Sequence, residues 1–300
     1  MTDSAKRMSK HLWSGLISDD PAADVGVLGV PFDGAVSFRT GAALAPARLR
    51  ELSPHLAACA EEGQPLTVQV RDYGDVRLDP EGPAYFQAVE EQAKQPLQHP
   101  LALFLGGDHS VTIPLMRAFD GEADGSFGVL HLDAHPDLFD TYGGHRWSHA
   151  CTARRALELP GLEPRHLVFV GLCSFARTEW DFFQKHPEIH YHTARQCYKQ
   201  TIEAVAEQVV ERLHDVQSLY VTLDIDVLDG AYGPGTGYPE GVGLSTREVL
   251  ELLRTVFQEL PVRAMDLVEV APPLDQSDVT SFAALKLIYE AWFAIQQTTS

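Results

Sequence analysis

Eight apolar runs of strand length are spaced along the chain, and stretches with the periodicity of amphipathic helices separate most of them. The apolar runs cover residues 24–30, 66–71, 101–105, 127–132, 166–171, 188–192, 218–224 and 262–268. The helical patterns cover residues 45–58, 83–95, 111–119, 201–214, 246–258 and 277–295. Several runs are hydrophobic throughout, as are strands of a parallel sheet that is buried on both faces. The pattern therefore predicts an α/β fold with a mostly parallel sheet and right-handed crossovers.

The same pattern shows no boundary between domains. Gly and Pro cluster at 74–83 and 228–243, but neither stretch is a low-complexity linker, and no repeat of about 20 to 50 residues is evident. A chain of 300 residues is also short enough to fold around one α/β sheet. We therefore expect a single domain over residues 1–300, with residues 1–23 as a peripheral N-terminal segment.

Composition adds information about where the protein works. Hydrophobic residues make up 45% of the chain and charged residues 22%, which is ordinary for a soluble globular protein. The chain contains neither a membrane-length apolar run nor the apolar core of a signal peptide. Its four cysteines lack any C-x-x-C spacing, which favours free thiols in a reducing compartment. We expect a cytoplasmic protein without a membrane partner.

The charge balance bears on possible ligands. With 42 acidic and 23 basic residues, the formal net charge is −19. Such a surface repels phosphate backbones and disfavours nucleic acid as a partner. It attracts small cations instead.

Candidate chemistry lies where three of the predicted strands end. Asp133, His135 and Asp137 follow the run at 127–132, and alternation along an extended chain directs all three to one side. His109 follows Gly106-Gly107 after the run at 101–105, where we expect the glycines to let the backbone turn sharply. In open parallel sheets, ligands bind beyond the carboxyl ends of the strands.

The run at 218–224 ends in a third cluster, Asp224 and Asp226. The pooled donors are two imidazoles and four carboxylates: His109, Asp133, His135, Asp137, Asp224 and Asp226. This set is too large for one catalytic ion and suits two divalent ions that share bridging carboxylates. Mainly oxygen donors favour two Mn²⁺ over zinc, while imidazole also accepts Ni²⁺ or Co²⁺. Such a pair activates water as a nucleophile near neutral pH, so we expect metal-assisted hydrolysis.

Five ordered motifs carry a resemblance to a known family. They are Gly106-Gly107-Asp108-His109-Ser110, Asp133-Ala134-His135-Pro136-Asp137, Ser148-His149-Ala150, Asp224-Ile225-Asp226-Val227-Leu228-Asp229, and the stretch from Met265 to Pro273. Together they resemble the ureohydrolases, which comprise arginases, agmatinases and guanidinobutyrases, from about residue 24 to the C-terminus. The resemblance implies a three-layer α/β/α fold with an eight-stranded parallel sheet, and a binuclear manganese site that splits guanidino compounds into urea and an amine. It also suggests a homotrimer or homohexamer.

The resemblance assigns roles to individual residues. One ion would bind His109, Asp133, Asp137 and Asp224, and the other would bind Asp133, His135, Asp224 and Asp226. Glu269 would hold the guanidinium group, since an anion beside its NH₂ groups can orient it for attack. His149 would shuttle the proton that the departing amine needs, and Asp137 would help to relay it.

The substrate is predicted from the loop between Asp137 and His149. Its length and its Asp140-Thr141 pair resemble agmatinases, and it lacks the Ser-Gly-Asn run of arginases. Agmatine is a small dication that suits an acidic protein, so we expect agmatine as substrate and putrescine and urea as products.

Several departures from agmatinases keep other guanidino substrates open. Gly230, Gly233, Tyr238, Gly241 and Cys173 replace residues that are usual in agmatinases, and His145 and Trp147 could crowd the pocket. The alternatives are 4-guanidinobutyrate, 3-guanidinopropionate and free guanidine. Two further alternatives are a catalytically inactive scaffold or binding homologue, and a polyamine deacetylase with one zinc ion.

Overall fold

The computed structural model describes residues 11–77, 83–123 and 125–298. Eight strands form one sheet in which every pair of neighbours is parallel, in the order β2-β1-β3-β8-β7-β4-β5-β6. The strands are β1 Val25–Gly29, β2 Val70–Asp75, β3 Leu101–Leu105, β4 Phe127–Leu132, β5 Leu162–Leu172, β6 His190–Thr193, β7 Ser218–Asp224 and β8 Val262–Val268. The predicted α/β class and the parallel sheet are confirmed.

Helices cover both faces of this sheet. They are α1 Ala45–Leu52, α2 Pro83–Ala93, α3 Thr112–Glu122, α4 Thr152–Ala156, α5 Arg177–Lys185, α6 Ala194–Lys199, α7 Ile202–Leu213, α8 Thr246–Glu259 and α9 Val279–Thr298. None of the helices within the described ranges is long and apolar enough to span a membrane.

The two faces of the sheet belong to separate hydrophobic cores. In β3 every side chain is buried, and Leu103 belongs to one core while the next residue, Phe104, belongs to the other. The first core contains the buried faces of α1, α7, α8 and α9, and the second those of α2, α3, α4 and α5. Because strands covered on both faces have no polar side to expose, they are hydrophobic throughout, and the three-layer α/β/α arrangement is confirmed.

The second strand differs from its prediction. The apolar run at 66–71 was expected to form it, but β2 spans Val70–Asp75. This is an edge strand whose polar side chains have a partner: Arg50 donates from Nε to Asp72 Oδ2 at 2.8 Å and also contacts Asp75. An edge strand with paired polar residues carries little of the apolar signal on which the prediction depended.

Three helices were not predicted at all. Helices α4, α5 and α6 have five, nine and six residues. In α5 only Glu179 and Phe183 are buried, so the sequence presents no continuous apolar stripe. Helices α4 and α6, with one to two turns each, are too short for periodicity to stand out.

Part of the segment that was expected to be peripheral, residues 1–10, lies outside the described residues. In the rest of it, residues 19–22 are exposed, but Trp13 and Ala23 pack into the fold. Trp13 is fully buried, its Nε1 donates to Asp72 Oδ2 at 2.8 Å, and its ring lies edge-on to Trp292 with centroids 5.5 Å apart. An isolated aromatic residue before the first strand gives no periodic signal of such burial.

Candidate metal centre

The four central strands, β3, β8, β7 and β4, end side by side at one edge of the sheet. The residues that follow them supply the candidate side chains: His109 after β3, Glu269 after β8, Asp224 at the end of β7 and Asp133 after β4. Because neighbouring parallel strands end at the same edge, residues far apart in sequence meet there. The structure thus brings the three predicted clusters into one site.

Gly107 allows the chain to approach closely before His109. A Cβ atom on Gly107 would lie 1.6 Å from the carbonyl oxygen of Phe32, and the N–H of Asp108 donates to that oxygen at 2.7 Å. The backbone of Gly107 does not have a positive φ, so the sharp turn that we expected there does not depend on left-handed backbone. The glycine is therefore needed for space, and it ties the loop after β3 to the loop after β1.

His109 faces three carboxylates through one ring nitrogen. Its Nδ1 lies 3.1 Å from Asp133 Oδ2, 3.1 Å from Asp137 Oδ2 and 3.2 Å from Asp224 Oδ2. The ring is 1% exposed, and Nδ1 has no hydrogen-bond partner among the described residues. A buried nitrogen without a partner that is surrounded by carboxylate oxygens suits a cation at the centre of the group.

A second group lies beside the first one. His135 Nδ1 is 3.0 Å from Asp226 Oδ2 and 3.5 Å from Asp133 Oδ1. Asp133 therefore directs one oxygen toward each imidazole, as a carboxylate shared by two ions would. Donor atoms of Asp133, His135 and Asp226 all lie within 4.8 Å of one another, as do those of His109, Asp133, Asp137 and a further imidazole, His131, so both sets have the spacing of a metal-binding cluster.

The charges in this cluster need compensation. Burial, followed by repulsion from Asp226 and Asp133, raises the pKa of Asp224 well above its usual range. Burial and the charge of Asp133 likewise raise the pKa of Asp226. Buried carboxylates crowded in this way are costly unless cations neutralise them. Oxygen and imidazole donors that converge on the same volume fit a pair of divalent ions.

Glu269 and His149 lie next to the carboxylate cluster. Glu269 Oε1 accepts from the backbone N–H of His109 at 2.9 Å and lies 3.3 Å from His149 Nδ1. The backbone N–H of Ser37 donates to His149 Nε2 at 3.1 Å, so a neutral His149 carries its proton on Nδ1, toward Glu269. The two residues form a pair that can hold a cationic group and exchange a proton.

A cavity of about 180 Å³ opens onto this site. Its wall combines site residues with aromatic rings, including His135, Asp137, His149, Asp224, Asp226, Glu269, Phe139, Tyr142 and Tyr238. The ring of Tyr238 lies edge-on to His135 with centroids 5.4 Å apart, so this residue shapes the entrance. Trp147 instead packs against Phe86 and Arg117 outside the cavity.

Two glutamates in contact with the site were not predicted from the sequence. Glu179 Oε1 accepts from the N–H of Leu138 at 3.1 Å and Oε2 accepts from the N–H of Ala176 at 3.0 Å, and burial raises the pKa of Glu179 to about 7. Glu240 Oε1 lies 3.2 Å from His135 Nε2. An acidic residue in the first turn of α5 was the available signal for Glu179, but α5 itself was not predicted. Glu240 lies in an irregular loop that gives no signal.

Comparison with known proteins places this geometry in context. A model of the arginase family matches residues 23–294. The chain is 34% identical to the guanidinobutyrase of Pseudomonas aeruginosa over 275 residues, which covers 90% of this chain and 85% of that enzyme. It is 33% identical to the agmatinase of Bacillus anthracis over 279 residues, which covers 89% of this chain and 90% of that enzyme. The solved structure of proclavaminate amidino hydrolase from Streptomyces clavuligerus superposes with a TM-score of 0.84 at 30% identity, covering 93% of this chain and 95% of that one.

Proposed function

Because the chain belongs to the arginase family, whose ureohydrolases are binuclear-metal enzymes that cleave C–N bonds of linear amidines, we propose that it hydrolyses agmatine to urea and putrescine. One observation carries this proposal above all. Six side chains from three strand ends converge, and the buried Nδ1 of His109 faces three carboxylates without a hydrogen-bond partner.

The proposed ligands divide into two sets with shared members. His109, Asp133, Asp137 and Asp224 would hold one ion, and Asp133, His135, Asp224 and Asp226 the other. The split of the two Asp133 oxygens between the imidazoles supports its bridging role. We propose Mn²⁺ as the native metal, with Ni²⁺ or Co²⁺ as substitutes, because oxygen donors predominate. When bound, such a pair supplies water activated for attack at neutral pH.

Glu269 would hold the substrate. The His109 N–H and His149 hold its Oε1 in place. The carboxylate forms part of the cavity wall, where two N–H groups of a guanidinium can pair with it. Fixing the planar group in this way presents its central carbon to the activated water. The protonated, imidazolium form of His149, which the Glu269 carboxylate stabilises, would then supply the proton that the departing amine requires and return to neutral imidazole, and Asp137 would assist.

The rest of the cavity supports an alkyl chain with a cationic end. Tyr142 and Tyr238 form part of its wall, and their ring faces attract ammonium groups. One feature favours guanidino acids such as 4-guanidinobutyrate as a second candidate. Arg39 lies with these two tyrosines along a depression outside the cavity, where its guanidinium could pair with a carboxylate.

A substrate panel tests the proposal. Protein purified with Mn²⁺ would be assayed for urea with agmatine, 4-guanidinobutyrate, 3-guanidinopropionate, guanidine and arginine at equal concentration. We expect the highest kcat/KM with agmatine, and we expect one putrescine to be released for each urea. A higher kcat/KM with a guanidino acid would reject agmatine, and no urea from any of these compounds would reject the activity.

We also propose that the protein is a cytoplasmic homo-oligomer of three or six copies, as the family resemblance suggests. Light scattering coupled to size-exclusion chromatography would give the mass of the particle directly. A mass of about 33 kDa, that of one chain of 33.1 kDa, would contradict the proposal.

A further inference from the structure

A buried carboxylate lies beneath the metal cluster and takes no part in it. Asp266 of β8 is fully buried, and three hydroxyl groups converge on it. Thr112 Oγ1 and Tyr220 OH both lie 2.8 Å from Asp266 Oδ2, and Thr222 Oγ1 lies 2.6 Å from Oδ1. In all three contacts the hydroxyl is the donor and a carboxylate oxygen of Asp266 is the acceptor.

Thr222 links this carboxylate to His109. A threonine hydroxyl has one proton, and Thr222 uses it on Asp266. Its oxygen can therefore only accept from the second neighbour, His109 Nε2, which lies 2.9 Å away. This leaves the ring proton of a neutral His109 on Nε2 and an open lone pair on Nδ1, the atom that faces the three carboxylates.

We propose that Asp266 is a positioning residue which, through Thr222, fixes the tautomer of His109 that can bind a divalent cation. The inference rests on the proposed function, because it takes His109 as a metal ligand. Partners of this kind, on the far side of a ligating imidazole, orient the ring and raise its basicity. The register of the sheet sets the arrangement, since Thr222 of β7 and Asp266 of β8 are direct neighbours.

The cluster contains its own matched control. Thr112 and Thr222 are both fully buried, and each donates one hydrogen bond to Asp266. Of the two, Thr222 is the one whose side chain also contacts the His109 imidazole, while Thr112 meets His109 through its backbone N–H, which a valine keeps. Changing either threonine to valine deprives Asp266 of one hydrogen-bond donor and leaves the side chain nearly the same size. Only T222V also removes the acceptor of the His109 Nε2 proton.

The experiment compares T222V, T222S and T112V with the wild type. Each protein is stripped of metal, and Mn²⁺ binding is measured by equilibrium dialysis and calorimetry. Thermal unfolding serves as the check of folding. We expect T222V to bind one Mn²⁺ about 10- to 100-fold more weakly, the usual loss when such a partner is removed. T112V should keep wild-type affinity, and T222S should restore most of the loss because it restores the hydroxyl.

The result has clear alternatives. Wild-type affinity in T222V, or an equal loss in T222V and T112V, would overturn the inference. If the wild-type protein binds two Mn²⁺ and releases urea while T222V behaves normally, the inference fails and the proposed function stands. If the wild type binds no Mn²⁺, both fail together.

A measurement on the wild-type protein covers the case in which T222V does not fold. With diamagnetic Zn²⁺ in the site, nitrogen-15 NMR shows which ring nitrogen of His109 carries a proton. The inference requires a hydrogen-bonded proton on Nε2. An unprotonated Nε2 would overturn it.

Discussion

Asp137 and Glu269 both hold their backbones in the left-handed region, with φ of 53° and 63°. For residues other than glycine this conformation costs about 1–3 kcal/mol and persists where surrounding contacts enforce it. Glu269 is enforced by its N–H, which donates to the Gly107 carbonyl at 2.8 Å, and by the bond between its carboxylate and the His109 N–H. The strain aims both carboxylates at the cavity, as expected of residues placed for chemistry.

The role of Glu269 can be separated from metal binding by the variant E269Q. An amide oxygen can still accept from the His109 N–H, so the two proposed ions should remain bound. The amide has no negative charge to hold a guanidinium. We therefore expect kcat/KM to fall at least 30-fold, which corresponds to a loss of about 2 kcal/mol of transition-state stabilisation. Metal analysis and urea release measure the two effects. E251Q is the control, because Glu251 lies on α8 in a partly exposed pair with Arg247 and Arg254 and outside the cavity. Near-normal activity in E269Q would remove Glu269 from the mechanism.

The titration of His149 offers a second prediction at this scale. Burial lowers the pKa of His149, but the hydrogen bond and the charge of Glu269 outweigh it and raise the pKa above 6.5. A carboxylate stabilises the charged imidazole, so His149 keeps its second proton to higher pH. The same E269Q change should therefore lower the pKa of His149, which NMR titration of the metal-free protein would show. Y142F, which changes an uncharged neighbour of the ring, should leave it unaltered, and an unchanged pKa in E269Q would contradict the pairing.

At the scale of elements, helix α5 supports the site from outside the sheet. Glu179, in its first turn, accepts from the N–H of Ala176 at the helix start and from the N–H of Leu138, the residue after Asp137. One side chain thus caps the helix and holds the loop that carries a proposed ligand. The contact joins two segments more than 40 positions apart in the sequence.

The variant E179A tests this link. It leaves two backbone N–H groups without their acceptor, and we expect a loss of about 1–3 kcal/mol in the free energy of unfolding together with weaker Mn²⁺ binding. Urea denaturation and dialysis measure the two quantities. D181A is the matched control, because Asp181 lies on the same helix in an exposed i,i+4 pair with Arg177, which contributes no more than about 0.5 kcal/mol. If E179A and D181A had equal stability and equal Mn²⁺ affinity, Glu179 would not stabilise the loop that carries Asp137.

What the sequence allowed us to predict depends on whether the signal was local. The strands at the centre of the sheet are largely apolar, and the residues proposed as ligands lie at their ends or a few positions beyond, so both could be located from one stretch at a time. Glu240 and Thr222 contact imidazoles across 105 and 113 positions, and no local pattern reports such a contact. The edge strand β2 failed for a related reason, since its polar residues become interpretable only once Arg50 is placed beside them.

In the molecule as a whole, buried acidic side chains are concentrated at the proposed metal site. The chain has a net charge of −19, and four of its acidic side chains lie within one buried cluster. Cations bound there offset a repulsion that the folded state would otherwise retain. Metal binding should therefore contribute to stability as well as to catalysis.

Metal removal gives the corresponding prediction. At a free Mn²⁺ concentration about 100-fold above its Kd, a single site adds about 2.7 kcal/mol to the free energy of unfolding, so EDTA should lower Tm markedly near neutral pH. The difference in Tm between the protein with Mn²⁺ and the protein with EDTA should become smaller as the solution is acidified. The pKa values of Asp224 and Asp226 are raised by burial and by neighbouring carboxylates, so the metal-free folded state takes up protons more readily than the unfolded chain and gains stability as pH falls.

Protons also compete with the ions for the same oxygen and nitrogen atoms, so the loaded protein loses part of its advantage under the same conditions. The pKa of Asp133 is lowered, so this group stays ionised in both the folded and the unfolded state between about pH 8 and about pH 5.5 and does not change the difference. Calorimetric scans with Mn²⁺ and with EDTA, at about pH 8 and about pH 5.5, would measure both differences in Tm. Equal differences at the two pH values would mean that the carboxylate cluster and the bound ions are not linked, and that the buried acids are stabilised in some other way.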